Sequence, residues 1–186
     1  MAKRVDSALF RSLPNLITLG RLVLVPAVIA MIASNEWSGA FAGFLVAGIS
    51  DGVDGWLAKR FNLRTELGAY LDPLADKALL ISIYVALAWV QVVPVSLAVL
   101  VVFRDVMIIG AVIVSWVLRN PVEIRPLFIS KANTALQIVF AAGVLAAKSF
   151  SLTLGPWFGD CVYVVAALTL ASAAAYLSQW LKHMSL

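Results

Sequence analysis

Six apolar stretches take up most of this 186-residue chain and leave only short polar breaks between them. Each is about 20 residues long, which is the length that an apolar helix needs to cross a bilayer core. With 62% hydrophobic and 13% charged residues, the chain is too apolar for a soluble domain, a disordered chain or a DNA-binding module. We therefore expect an all-α integral membrane protein with six transmembrane helices. The stretches cover about residues 15–33, 37–58, 67–91, 94–118, 129–148 and 157–181.

The first 13 residues have a different character, because Lys3, Arg4 and Arg11 stand among apolar residues. This mixture is typical of a short amphipathic helix that lies on the membrane surface. Pro14 follows directly and is expected to interrupt that helix. The sequence therefore predicts an interfacial helix over residues 1–13 and a six-helix membrane domain over residues 14–186.

The basic residues indicate how the chain is oriented in the membrane. If the N-terminus is cytoplasmic, only Lys148 lies on the opposite side, and Arg104 is mid-helix and uninformative. By the positive-inside rule we expect both termini in the cytoplasm. We expect the membrane to be a bacterial inner (plasma) membrane or its equivalent. The basic residues that agree with this orientation are Lys3, Arg4, Arg11, Arg21, Lys59, Arg60, Arg64, Lys77, Arg119, Arg125, Lys131 and Lys182.

Four aspartates stand in the second and third apolar stretches. Asp51 and Asp54 are three residues apart, and Asp72 and Asp76 are four apart, so each pair shares one face of its helix. The break between the two stretches is short, so the helices should run antiparallel with these ends adjacent. We therefore expect four carboxylates to converge near the cytoplasmic interface.

Carboxylates at this depth are costly and repel one another unless cations accompany them. Sites made of carboxylate oxygens suit hard divalent ions, and two ions of Mg²⁺ or Mn²⁺ would balance four carboxylates and could clamp a pyrophosphate. Gly55 would let a ligand approach the helix closely. The alternative is that the aspartates cap helices or form ion pairs with nearby cations. Those cations would be Lys59, Arg60, Arg64 and Lys77.

The spacing of these residues resembles the signature of the CDP-alcohol phosphotransferase family, which are integral membrane enzymes of phospholipid synthesis. The resemblance implies six transmembrane helices, a homodimer, two divalent ions held by the four aspartates, and Asp76 as general base. Seven of eight fixed positions match, and the departure is lysine where the family has arginine at position 59. The matching string is Asp51-x2-Asp54-Gly55-x2-Ala58-Lys59-x8-Gly68-x3-Asp72-x3-Asp76.

The pyrophosphate of a CDP-activated lipid is expected to contact the signature loop and the first helix. Lysine lacks the planar fork of arginine, so either Lys59 or Arg60 is a candidate for this contact. Asn15, Thr18 and Arg21 are similar to an N-x2-T-x2-R pattern of the family. In the family, the residues of this pattern lie beside the nucleotide pyrophosphate. The expected nucleotide contacts are Asn15, Thr18, Arg21, Gly55, Ala58, Lys59 and Gly68.

Arg104 and Asp105 stand inside the fourth apolar stretch. They form either an internal ion pair or a site where Arg104 holds an acceptor phosphate. Lys131 is a similar acceptor candidate, whereas Arg119 and Arg125 are either acceptor ligands or ordinary cytoplasmic loop charges. The predicted acceptor contacts are Arg104, Lys131, Arg119 and Arg125.

Two further segments, RDVMIIGAV and RPLFISKANTALQ, resemble the mitochondrial-type cardiolipin synthases. Those enzymes transfer a phosphatidyl group from CDP-diacylglycerol to phosphatidylglycerol. The related phosphatidylglycerophosphate synthases, which use glycerol 3-phosphate, carry a second lysine where this chain has Asn133. The glycerol 3-phosphate activity is the first alternative. A small cation transporter is a second, less favoured because the aspartates cluster near one membrane face rather than the midplane.

Overall fold

The computed structural model describes residues 5–60, 66–118 and 127–184, and within these ranges it is helical and contains no strand. The described helices closely follow the apolar stretches, because a backbone in lipid must satisfy its own hydrogen bonds. They are α1 (Val5–Ala33), α2 (Trp37–Arg60), α3 (Glu66–Trp89), α4 (Val95–Val117), α5 (Phe128–Ser149) and α6 (Trp157–Met184).

Three segments of the described chain are long and apolar enough to cross a membrane, namely Val95–Ser115, Phe128–Ser149 and Trp157–Met184. Shorter apolar segments occupy Ile17–Ala33 in α1 and Lys77–Trp89 in α3. The prediction of an all-helical membrane protein is therefore confirmed, whereas six crossings remain a prediction. Large apolar side chains such as Val99, Phe103 and Ile113 are exposed, as expected of a lipid-facing surface.

Helix α1 continues through Pro14 without a break. A separate helix over residues 1–13 is therefore not confirmed, and residues 1–4 lie outside the described ranges. A proline removes one backbone donor, and membrane helices tolerate that loss because neighbouring groups satisfy the freed carbonyl. The predicted interruption at Pro14 is wrong for this reason.

The described helices pack in a closed order in which each touches two neighbours: α1, α2, α5, α6, α4, α3 and back to α1. Helix α3 also touches α5 across this ring. Helices that are distant in sequence therefore become neighbours, and α2 lies against α5 as well as against α1. This order brings residues of α1, α2, α3 and α5 around one cavity.

The centre of the bundle contains stacked aromatic rings. Tyr84 and Phe140 have ring centroids 6.3 Å apart, and Phe140 and Phe158 have centroids 5.7 Å apart. The Tyr84 hydroxyl donates a hydrogen bond of 3.0 Å to the Gln137 carbonyl, so its polar end is satisfied inside the bundle. These contacts tie α3, α5 and α6 together.

Three helices end in the same kind of turn. Asn35, Gln91 and Ser151 have φ angles of 60°, 59° and 55°, in the left-handed region. In each turn the next residue donates its N–H to a carbonyl five residues earlier, as Val92 does to Leu87 at 2.9 Å. This pattern is the Schellman motif, and it lets α1, α3 and α5 stop abruptly so that the next helix can return.

We expect Gly43→Ala to destabilise the contact between α1 and α2. A Cβ at this position would lie 2.8 Å from Val28 Cγ2, and Val28 is a buried, β-branched residue that has little freedom to move. Overpacking of this kind costs on the order of 1–3 kcal/mol. Thermal unfolding in detergent should show a lower midpoint. Gly110→Ala is the control, because a Cβ there meets no atom within 4 Å; an equal loss in both variants would contradict the packing argument.

Candidate active site

A cavity of about 140 Å³ lies where α1, α2, α3 and α5 meet. Its polar wall carries Arg21, Asp51 and Lys77, together with Thr134. Its remaining wall is mostly apolar. A polar end combined with an apolar wall suits a ligand that has a charged head group and a hydrocarbon part. The other lining residues are Phe44, Ala47, Gly48, Leu79, Leu80 and Ile138.

Arg21 and Asp51 form an ion pair across the α1–α2 contact. Arg21 Nη1 lies 2.6 Å from Asp51 Oδ1, and the Arg21 side chain is 1% exposed whereas that of Asp51 is 43% exposed. The buried guanidinium needs a counter-charge at this depth, and Asp51 provides one. Two predicted site residues, one from the expected nucleotide contacts and one from the expected metal ligands, are therefore in direct contact.

The backbone of all four signature aspartates is helical, with Asp51 and Asp54 in α2 and Asp72 and Asp76 in α3. The predicted spacing within each helix is therefore present in the fold. The side chains of Asp54, Asp72 and Asp76 lie outside the described set. Their convergence with Asp51 remains a prediction.

The described part of this site is chemically suited to a divalent ion. Asp51 presents a partly exposed carboxylate on the cavity wall, and carboxylate oxygens are the donors that Mg²⁺ and Mn²⁺ prefer. Within the described residues there is no group of three or more aspartate, glutamate, histidine or cysteine side chains that could hold a metal. The three other predicted ligands are outside that set, so the donor chemistry fits while the complete site remains a prediction.

A second ion pair connects the cavity to the interior of the bundle. Lys77 Nζ on α3 lies 2.5 Å from Asp105 Oδ1 on α4, with the side chains 35% and 1% exposed. The same Asp105 oxygen also accepts a hydrogen bond of 2.5 Å from Arg104 Nη1. Among the described residues, the other oxygen of Asp105 is buried and has no hydrogen-bond partner. One buried carboxylate therefore holds two cations, of which only Lys77 lines the cavity.

The guanidinium of Arg104 is surrounded by residues of α5 and α6. Its Nη2 donates to Ser172 Oγ at 3.0 Å and also to Ser130 Oγ, and its Nε donates to Ser172 Oγ at 3.3 Å. The ring of Tyr176 lies 5.7 Å from the Arg104 Cζ atom. These contacts favour the internal ion pair over the acceptor site, since an acceptor phosphate at Arg104 would have to displace a partner. The acceptor role of Arg104 remains a prediction.

A second buried polar cluster lies between α5 and α6. Thr169 Oγ1 donates to Asn133 Oδ1 at 2.9 Å, and Gln137 Nε2 donates to Thr169 Oγ1 at 3.0 Å. All three residues are buried. Asn133, at the position of the second lysine in the phosphatidylglycerophosphate synthases, is therefore a helix-packing residue here, whereas the next residue, Thr134, lines the cavity.

The remaining predicted contacts have different environments. Thr18 is buried, and Lys131 is exposed in the first turn of α5. The described contacts do not include Asn15, Gly55, Ala58, Lys59 or Gly68. Arg119 and Arg125 lie outside the described ranges.

Sequence reasoning overlooked the polar stripe on α6. Thr169, Ser172 and Tyr176 are spaced three and four residues apart, so they lie on one helix face, and all are buried. Polar residues at this spacing in an otherwise apolar helix face the interior of a bundle rather than lipid. The spacing of these three residues could have predicted a buried polar face on α6. The helix is also rich in small residues, which favoured its interpretation as a packing surface.

Comparison with known proteins gives several relatives of this chain. A human cardiolipin synthase (CMP-forming) is 33% identical over 89% of this chain and 60% of its own length. A rice chloroplastic CDP-diacylglycerol–glycerol-3-phosphate 3-phosphatidyltransferase is 31% identical over 90% of this chain and 56% of its own length. A Bacillus subtilis protein named for the same glycerol 3-phosphate activity is 29% identical, over 90% of this chain and 94% of its own length. The chain thus spans about 60% of the length of the human relative.

The family model for CDP-alcohol phosphatidyltransferase matches residues 11–181, which is nearly the whole chain. The match includes α2 and α3 with their four aspartates, and also the cavity residues Arg21, Lys77 and Thr134. This extent agrees with the resemblance found in the signature. The chain belongs to the CDP-alcohol phosphatidyltransferase family.

Proposed function

We propose that this protein is a CMP-forming cardiolipin synthase. It transfers the phosphatidyl group of CDP-diacylglycerol to the free hydroxyl of phosphatidylglycerol and releases CMP. Support comes from the family match, from the human relative named for this activity, and from the segments around Arg104 and Lys131. We further propose that it acts as a homodimer in a bacterial inner membrane or its equivalent, with six crossings and both termini in the cytoplasm.

The buried position of Asn133 is the observation that favours phosphatidylglycerol as acceptor. Glycerol 3-phosphate carries a phosphomonoester with up to two negative charges, whereas phosphatidylglycerol carries a phosphodiester with one. At the position where the glycerol 3-phosphate enzymes carry a second lysine, this chain has a neutral amide bound to Thr169. The absence of that second lysine suits the acceptor with the smaller negative charge.

The proposed reaction is a single phosphoryl-group transfer. The hydroxyl oxygen of phosphatidylglycerol attacks the β-phosphorus of CDP-diacylglycerol, a new P–O bond forms, and the bond to the bridging oxygen of CMP breaks. Asp76 accepts the proton that the hydroxyl loses, which is the role of a general base. The mostly apolar remainder of the cavity wall suits the hydrocarbon part of the lipid substrates.

Asp51, Asp54, Asp72 and Asp76 would hold two divalent cations, Mg²⁺ or Mn²⁺. When bound, these cations supply charge neutralisation for the pyrophosphate and for the departing phosphate oxygen. Arg21 holds the Asp51 carboxylate from the α1 side, which fixes its orientation on the cavity wall. The ion pair with Arg21 therefore restricts the Asp51 carboxylate before a cation or substrate binds.

Further contacts complete the proposed substrate sites. For CDP-diacylglycerol they are Asn15, Thr18, Arg21, Gly55, Ala58, Lys59 and Gly68, with Arg60 as the alternative to Lys59. For the acceptor they are Lys131, Arg119 and Arg125, and Arg104 if it can exchange one of its present partners.

The second candidate is a phosphatidylglycerophosphate synthase. The rice and Bacillus relatives named for the glycerol 3-phosphate activity favour it, since the Bacillus protein matches this chain over 94% of its own length. Both candidates use the same donor and release CMP. They differ only in the acceptor alcohol, so the acceptor must be tested directly.

A parallel assay distinguishes the two. Purified protein in mixed micelles receives CDP-diacylglycerol, Mg²⁺ or Mn²⁺, and either phosphatidylglycerol or glycerol 3-phosphate. We expect CMP release at least about tenfold faster with phosphatidylglycerol, since sites built for one polar head group discriminate by such factors. CMP release with glycerol 3-phosphate alone would establish the second candidate. Absence of CMP release with either acceptor would overturn the proposed enzyme activity.

A further inference from the structure

The cavity contains a cation that the family signature does not include. Lys77 follows the signature aspartate Asp76 and lines the cavity together with Arg21 and Asp51. Its side chain is 35% exposed, so the ammonium is accessible from the cavity while its partner Asp105 is buried. An ammonium has three N–H donors, and the bond to Asp105 uses one of them. Donors therefore remain for a ligand in the cavity.

The Lys77 ammonium is held in place by a chain of contacts that involves groups on α4, α5 and α6. Asp105 on α4 accepts from Lys77, and Arg104 anchors the same Asp105 oxygen from the other side. Arg104 is in turn held by Ser130 on α5 and Ser172 on α6. Because Asp105 and Arg104 are each 1% exposed, this arrangement is fixed by packing and cannot relax into solvent.

The charges in this chain of contacts do not cancel. Two cations, Lys77 and Arg104, share one carboxylate, Asp105, which leaves one net positive charge. Arg104 is enclosed by protein, so the surplus charge is available at Lys77, the member that lines the cavity. A cation held in a partly apolar cavity attracts an anion more strongly than one in water, because the local dielectric constant is lower.

We infer that Lys77 binds a phosphate oxygen of a substrate and that Asp105, anchored by Arg104, is a positioning residue for the Lys77 ammonium. The inference rests on the proposed phosphatidyl transfer, in which both substrates carry phosphate groups. The ligand is the pyrophosphate of CDP-diacylglycerol or the phosphodiester of phosphatidylglycerol. These two sources share one chemistry, and kinetics distinguishes them.

The test measures the KM of each substrate for Lys77→Gln, with the other substrate saturating. Loss of one charge-assisted hydrogen bond should raise the KM of the bound substrate about tenfold. A rise for CDP-diacylglycerol assigns Lys77 to the donor, and a rise for phosphatidylglycerol assigns it to the acceptor. Lys77→Arg keeps the charge and should restore most of the loss. Lys77→Met offers a second neutral side chain of similar length if the first variant does not accumulate.

The matched control is Lys148→Gln, because Lys148 lies in the last turn of α5, where it contacts the Trp37 ring. It should leave both KM values within twofold of the parent. If Lys77→Gln also leaves both KM values within twofold, or lowers kcat alone, the inference is overturned. Such a result would leave the proposed function standing, since the unmodified protein would still release CMP.

The positioning role of Asp105 is tested by a double-mutant cycle. Asp105→Asn should raise the same KM as Lys77→Gln, and it should add nothing further when Lys77 is already glutamine. Additive effects would overturn the positioning role, because they would show that Asp105 acts independently of Lys77. Thermal unfolding of each variant in detergent separates these effects from a loss of folded protein.

Discussion

Asp76→Asn is expected to abolish CMP release while the protein still inserts into the membrane and binds CDP-diacylglycerol. Asparagine has nearly the same shape as aspartate but cannot accept the proton of the attacking hydroxyl. Removal of a general base lowers kcat by about 10²–10⁴-fold. The loss of a predicted metal ligand adds to this effect. The measurement is CMP release in mixed micelles, together with a binding assay for the donor.

Asp160→Asn is the matched control, since it makes the same change in the first turn of α6, far along the chain from the signature. It should retain the activity of the parent. Substantial residual turnover in Asp76→Asn, at a level similar to the control, would refute the role of Asp76 as base. Loss of donor binding in addition to turnover would instead point to a role of Asp76 in holding the pyrophosphate.

Arg104→Leu is expected to lower the stability of the folded protein more than Gly43→Ala does. The substitution removes hydrogen bonds to Asp105, Ser130 and Ser172 at once and leaves polar groups buried between helices. Breaking a buried ion pair by removing one partner costs on the order of 3 kcal/mol. The thermal unfolding midpoint in detergent should therefore fall markedly, and the yield of folded protein with it.

Arg104→Lys distinguishes the two roles that the sequence left open for this residue. Lysine keeps the charge but cannot reach Asp105, Ser130 and Ser172 simultaneously, so a packing role predicts an intermediate loss of stability. Unchanged stability in this variant would contradict the packing role.

The positions of α2 to α6 could be predicted from the sequence because each closely follows a mostly apolar stretch. An apolar helix that crosses a bilayer needs about 20 residues, so the length of such a stretch limits where its helix can begin and end. The interruption predicted at Pro14 does not occur in α1, because a proline removes a single backbone donor and the residues on either side remain helical.

The partners of the buried charges could not be predicted in the same way. Arg21 contacts Asp51 through the α1–α2 packing, but Lys77 contacts Asp105 only because α3 lies against α4. Arg104 meets Ser172, which is 68 residues further along the chain. Such contacts depend on the order of helices in the ring, and hydropathy carries no information about that order.

The most direct test of the proposed function follows a label from acceptor to product. The protein is reconstituted with CDP-diacylglycerol, a divalent cation and phosphatidylglycerol labelled in its head group, and both CMP and labelled lipid are quantified over time. The proposed transfer predicts that one labelled cardiolipin molecule forms for each CMP released. CMP release without labelled cardiolipin would contradict it, because the phosphatidyl group would then have passed to water or to another acceptor.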